Sequence, residues 1–409
     1  MGEVITFYSY KGGTGRSMAL SNVACLLAER NIMNKGVLMI DWDLEAPGLH
    51  RFFGNRCKGY FQESDNLDKD LDAHLGLIDL FVELNSLTRK MDDIASKDEE
   101  ELAEILSNCL DIDKYIIRTD IPSLSLLTSG RLDFDYHNVV RNFPWEDLYN
   151  RAPQLLLSLI SILERKYEYI LIDSRTGLTD TSGICTKIMP NKLVIVFTPN
   201  RQSLEGAIDI AYQAIEYRRK SDDLRPLVVF PLVSRIDGEE PDLRKYWRFG
   251  QMSKDIKGYQ PEFTNIFKRA YGMKKLNLNN YFDEVQIQYI PRYSYGEDIA
   301  VLEEKSKDRL SLTQSYKNFA NWLVGTNSPW GTPPHPIPLM VPPSLVDFTG
   351  REKELNELMS YFERGSTIIG LRGLGGVGKT ELAFKLANSL KDRYPDGQIM
   401  VDLKGTSAP

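Results

Sequence analysis

Seven residues near the N-terminus could build an anion site: Lys11, Gly12, Gly13, Thr14, Gly15, Arg16 and Ser17. Glycines let backbone N–H groups converge on a phosphate without a Cβ in the way. A helix starting directly after such a loop adds the positive end of its dipole. Ser17 is placed to lend its hydroxyl to Mg²⁺, and Arg16 stands where a loop lysine would reach β- and γ-phosphates. The full GxxxxGK[ST] pattern is not met, because Tyr10 holds the first glycine position and Arg16 replaces lysine. Taken alone, the segment also fits a plain glycine-rich turn between strand and helix.

Carboxylates weigh against that plainer reading. One apolar run ends in Asp41-Trp42-Asp43, and another, starting at Tyr169, ends in Asp173-Ser174. If both runs are strands of one parallel sheet, their ends share an edge with the loop. An aspartate there can hold Mg²⁺ through water or orient an attacking water. A carboxylate capping a helix is the structural alternative for any one of them. A second loop, Gly373-Leu374-Gly375-Gly376-Val377-Gly378-Lys379-Thr380, meets the phosphate-loop pattern in full. Lys379 is expected to contact β- and γ-phosphates there and Thr380 to ligate Mg²⁺.

Strand-like and helix-like segments alternate around these residues. Strands are expected at 3–9, 36–41, 123–128, 168–173, 192–198, 226–233 and 286–290, with helices among others at 17–30, 152–166 and 203–220. Several strands are near-continuous apolar runs, which suits burial on both faces of a parallel sheet. The pattern predicts a doubly wound, mostly parallel α/β domain over residues 1–325. A helical acidic insertion is expected at about 62–118. From Glu63 to Asp113 it carries 16 acidic and four basic residues, which read as a solvated face. Seven prolines between Ser328 and Pro343 mark a semi-extended linker, placed at 326–346. Residues 347–409 then open a second, partial α/β domain: helix, strand at 367–372, the second loop, helix, and a strand at 398–403. The chain ends at Pro409 before a second set of strand-end carboxylates, so a truncated gene product is expected.

The chain has 409 residues, a net charge of −7 and only four cysteines, none of them paired in a CxxC. That usage reads as a reducing cytoplasm. No run is long and apolar enough for a membrane span, and none of the four scattered histidines builds a metal cluster. From Pro241 to Lys275, nine basic residues interleave with aromatics. Such a stretch can track a nucleic acid, though packed surface helices are the favoured reading. The apolar side of 312–324 reads as core rather than as a membrane helix.

Lys11 to Ser17 resembles the deviant Walker A loop of the ParA/MinD family of partitioning ATPases. Asp41-Trp42-Asp43 resembles that family's first switch, and Ile170-Leu171-Ile172-Asp173 its Walker B strand. Thr198-Pro199-Asn200, Pro231 to Arg235 and Tyr289 to Arg292 extend the likeness across residues 1–325. The resemblance implies ATP and Mg²⁺ and an ATP-dependent homodimer in which Lys11 reaches the partner's nucleotide. It implies Ser17 as a direct Mg²⁺ ligand, with Asp41 and Asp173 acting through water, and Asp43 positioning the hydrolytic water. Asn200, Ser234, Arg235 and the loop after Pro291 would surround the base. The family carries lysine at position 16. Arginine keeps the charge but is larger, so binding is expected to survive better than hydrolysis. Ser234-Arg235-Ile236-Asp237 faintly resembles a guanine motif, yet the loop belongs to the ATP-using branch. Cys185 alone does not supply the cysteines of the nitrogenase iron-protein branch.

The second loop, with Phe348-Thr349-Gly350-Arg351-Glu352 before it, resembles the opening of an NB-ARC-type STAND NTPase. That resemblance implies a regulatory or signalling role. A non-hydrolysing interaction module and a DNA-associated partitioning ATPase are the alternatives, and a protein partner is left open.

Overall fold

In a computed structural model the described residues are 2–30, 35–57, 60–61, 66–91, 93–177, 183–221, 223, 225–304, 311–324, 328–331, 341–342, 348–364, 368–374, 376–391 and 398–400. Seven strands form one sheet in the order β3-β4-β2-β5-β1-β6-β7. They are β1 (Glu3–Tyr8), β2 (Val37–Trp42), β3 (Ile116–Arg118), β4 (Leu124–Leu127), β5 (Tyr169–Ser174), β6 (Lys192–Phe197) and β7 (Val228–Val233). All neighbours are parallel except the edge pair β3–β4. Every residue of β2, β5, β6 and β7 is buried, as continuous apolar runs require when both faces are covered.

Side chains alternate across the sheet and feed two cores. Ile5, Phe7, Met39 and Leu171 join the helices Arg16–Arg30 (α1), Arg201–Lys220 and Leu312–Leu323 on one face. Val4, Leu38, Ile40, Ile170 and Ile172 join Leu77–Thr88, Glu99–Cys109 and Leu155–Lys166 on the other. The fold is therefore the doubly wound α/β sheet read from the sequence. Leu312, Tyr316, Phe319 and Leu323 are buried, so the apolar side of the helix Leu312–Leu323 is core. No helix among the described residues is long and apolar enough to cross a membrane.

Three local expectations change. β3 was not foreseen: it is three residues long and antiparallel at the edge, too short to show a period. Residues 286–290 form no strand; Gln288 makes one isolated bridge with Ile236. The described part of 367–372 is not strand either. With Ile368 and Leu374 at 90% and 85% exposure, that segment lacks the covered faces that hold the N-terminal strands in register. Of the expected strand at 398–403, Gln398 makes a single bridge, and 401–403 lie outside the described residues. Two helices, Glu352–Glu363 and Lys379–Ser389, flank the second loop and pack through Leu358, Leu382, Leu386 and Leu390.

Candidate phosphate-binding site

β1 delivers the chain into the first loop, and α1 starts at Arg16. Gly13 and Gly15 have φ of 72° and 85°, a region that side chains with a Cβ rarely adopt. A Cβ added at Gly12, Gly13 or Gly15 would meet nothing within 4 Å, so the loop is an open cup and the glycines at 13 and 15 answer to backbone conformation. Tyr10 turns its ring away to the helix Arg201–Lys220. It lies so close to Gly206 that a Cβ there would sit 2.1 Å from the ring's Cγ. Gly206 is thus a supporting residue that the loop motif does not reveal.

The β2–β5 register sets Asp41 directly opposite Asp173, and β1 puts Phe7 beside Asp173. The strand-end carboxylates and the loop therefore share one edge. Arg16 lies inside this cluster. Its Nε donates to Asp173 Oδ1 at 2.5 Å and its Nη2 to Asp43 Oδ2 at 2.9 Å, with the side chain 8% exposed. Ser17 Oγ donates to Asp173 Oδ2 at 2.5 Å. Asp41 accepts backbone N–H groups from Asp43, Gly48 and Leu49 at 3.2, 3.1 and 3.0 Å, which folds the following loop back over the strand end. Tyr136, another residue outside the motifs, donates to Leu44 O at 2.8 Å and fixes the same loop.

Burial would lower the Arg16 pKa, but the carboxylates of Asp173 and Asp43 outweigh it and hold it above its ordinary value. Burial, with the facing Asp173 charge, pushes Asp41 up to about 7 despite its N–H donors. Burial also raises Asp173, against the pull of Arg16 and Ser17. Two polar atoms of the cup, Arg16 Nη1 and Thr14 Oγ1, are buried with no hydrogen-bond partner. Lys11 is half-buried and has no hydrogen bond or ion pair among the described residues.

Beside the loop, Ser234 Oγ donates to Thr14 O at 2.7 Å and lies 3.2 Å from Phe197 O, tying the end of β7 to the cup. A small cleft of about 40 Å³ opens there, lined by Thr14, Gly15, Ser234, Arg235, Tyr289 and Ile290 among others. Arg235 takes φ of 55° and lies over the Tyr289 ring at 5.9 Å. Pro291 begins the short turn Pro291–Ser294, whose Tyr293 also lines the cleft. Asn200 is engaged elsewhere. Its Oδ1 accepts from Ser203 N at 2.9 Å as a helix N-cap, and its Nδ2 donates to Thr198 Oγ1 at 2.6 Å.

A cation has few protein ligands here. Among the described residues no group of three His, Cys, Asp or Glu side chains could hold a metal ion. Ser17 Oγ with nearby carboxylates suits an octahedral Mg²⁺ that keeps waters and takes phosphate oxygens. In the second loop Gly376 and Gly378 have φ of 79° and 82°. Lys379 Nζ donates to Gly373 O and Leu374 O at 3.0 and 2.8 Å, and Thr380 lies one residue on, exposed. Gly375 lies outside the described residues.

In the basic and aromatic stretch several aromatics are core, and of the nine basic residues only Arg248 is buried. Tyr259, Phe263, Phe267 and Tyr271 are core residues. Arg248 is buried and donates to Asp283 at 2.6 Å, Gln260 at 2.8 Å and Asn279 O at 3.1 Å.

No family model matches the chain. It is 42% identical over 75 residues to the regulatory protein AfsR of Streptomyces griseus, a stretch that is 17% of this chain and only 8% of that relative's length. Among solved structures it is similar to the septum site-determining protein MinD of Pyrococcus horikoshii, solved with Mg-ADP. That match has 17% identity and a TM-score of 0.44, over 79% of this chain and 96% of that one. It is also similar to a putative plasmid partition protein of Borrelia burgdorferi bound to AMPPNP, with 17% identity and a TM-score of 0.44, over 78% and 98%. At such identity and score neither likeness carries chemistry across to this chain.

Proposed function

We propose that the chain is a Mg²⁺-dependent, ATP-binding P-loop NTPase with slow turnover, whose nucleotide state controls pairing of two copies. One observation carries the reading: an open, positive-φ glycine cup meets Arg16, Ser17, Asp41, Asp43 and Asp173 at a single sheet edge. Backbone N–H groups of residues 12–17 bind the phosphates, with the dipole of α1 behind them. Bound Mg²⁺ would supply charge neutralisation between phosphate oxygens, held by Ser17 directly and by Asp41 and Asp173 through water. Asp43 orients the attacking water, and the larger arginine head at position 16, where the loop usually carries lysine, is what keeps turnover slow. Lys11, without a partner of its own, reaches the nucleotide of a second copy. The base sits beside Ser234 and Arg235, against the loop that runs from Tyr289 through Pro291 to Tyr293. Among the described residues no carboxylate lines that cleft to meet guanine N1 and N2, which favours adenine. The stretch shared with AfsR supports a regulatory role for the whole protein.

The test is calorimetry of MgATP binding together with light scattering and turnover, for wild type, Lys11→Ala and Asp43→Ala. Wild type should bind MgATP and pair with it. Lys11→Ala should bind but stay single, and Asp43→Ala should pair without measurable turnover. An absence of binding heat in wild type, or vigorous turnover by the isolated protein, would overturn the proposal.

A further inference from the structure

We infer that Arg16 tells a triphosphate from a diphosphate by exchange: the terminal phosphate takes the guanidinium edge that Asp43 holds in the structure, so the γ-phosphate is what frees Asp43. The inference rests on the nucleotide reading above.

The fork geometry carries it. Nε is committed to Asp173 on β5, Nη2 to Asp43 beyond the end of β2, and Nη1 is buried with no partner. A buried guanidinium with one orphaned donor is under-satisfied. An anion engaging both Nη atoms would satisfy it better, and a phosphate matches that fork. Asp173 is anchored a second time by Ser17, whereas the other oxygen of Asp43 has only a long contact, 3.4 Å from Ala46 N. Asp43 is therefore the partner that gives way. A lysine at position 16 offers its three donors from a single nitrogen and lacks the planar Nη1–Nη2 edge that matches a phosphate. A diphosphate brings only the β-phosphate, which the loop N–H groups hold, and lacks the terminal phosphate that competes for that edge, so it leaves the Arg16–Asp43 pair closed. The loop that starts at Asp43 then keeps the Arg16 tether with ADP and loses it with ATP.

The experiment measures Kd for Mg-AMPPNP and MgADP on the full chain, in wild type, Asp43→Asn, Arg16→Lys and the double variant. Removing the competing charge in Asp43→Asn should tighten the triphosphate analogue roughly tenfold and leave MgADP unchanged. In the Arg16→Lys background the same change should have little effect, so the two positions couple for triphosphate only. A ratio of affinities unchanged by Asp43→Asn, or equal coupling for both nucleotides, would overturn the exchange. If Asp43→Asn does not fold, wild type still decides. Trp42 is buried next to Asp43, and its fluorescence, isolated by subtracting Trp42→Phe, should change with Mg-AMPPNP and not with MgADP. An identical response to both would refute the exchange. Wild type that binds neither nucleotide would instead sink the nucleotide reading itself.

Discussion

Asp41 makes the stability of the ligand-free protein depend on pH in a direction opposite to ordinary acid denaturation. Its carboxyl is raised from 3.8 to about 7, first by burial and next by Asp173 across the β2–β5 pair. A folded state that holds a proton more tightly than the unfolded one gains stability below the unfolded value. That gain disappears as pH rises through the folded value. Between pH 5.5 and 8.0 the loss from this one group is about 2 kcal/mol, or roughly 3 °C in melting temperature for a domain of this size. Burial raises Asp173, Glu3 and Glu164 as well, which adds in the same sense. His74 works against it. Burial lowers its pKa, so it costs stability on the acid side of its ordinary value near 6.5. The assay is thermal melting without Mg²⁺ or nucleotide, at constant ionic strength, for wild type and Asp41→Asn. Wild type should melt lower at pH 8.0 than at pH 5.5, and the variant should lose most of that slope while His74 stays in place. A flat or rising wild-type profile, or an undiminished slope in Asp41→Asn, would refute the burial argument.

Ser234→Ala removes the hydroxyl that ties β7 to Thr14 O. It should cost about 1 kcal/mol of stability and weaken MgATP and MgADP by the same several-fold factor, since the tie lies beside the base and not the γ-phosphate. Unequal losses in calorimetry would contradict this. Arg248→Glu places a carboxylate where three donors now meet Asp283, Gln260 and Asn279 O, and should cost roughly 2–3 kcal/mol in urea denaturation. Arg244→Glu and Lys245→Glu, both exposed, should leave the midpoint unmoved. A well-tolerated Arg248→Glu would mean that the Arg248 hydrogen bonds do not hold this part of the fold.

What the sequence makes legible is local or periodic. Strand, glycine loop and helix follow one another within a few dozen residues, and the apolar runs ending at Asp41 and Asp173 announce both their burial and the edge they share. Contacts made across the fold are not announced. Arg16 reads as a phosphate ligand, yet its hydrogen bonds go to residues 27 and 157 positions away, and no spacing rule connects them. Tyr10 looks like a defect in the glycine pattern until Gly206 supplies a flat place for its ring. Asn200 had a legible alternative, because an asparagine directly before a helical run is a natural N-cap. β3 was hidden by its length, and Arg248 by lying among exposed cations on the helix Pro241–Phe249.

Charge ties these particulars together. Asp41, Asp43 and Asp173 meet one cation of the protein, Arg16, in a buried place. Such an arrangement is stable only if the surplus negative charge is reduced, and Asp41 does so by holding its proton up to about 7. A polyphosphate arriving alone would add further negative charge to that edge and meet repulsion from all three aspartates. The same polyphosphate arriving with Mg²⁺ would bring a counter-charge to Ser17 and the two strand-end carboxylates, and would give the orphaned Nη1 an acceptor. The dependence on Mg²⁺ in the proposed activity thus follows from the surplus of carboxylates over cations at the sheet edge, and substituting arginine for lysine at position 16 does not remove it, because the charge there is the same.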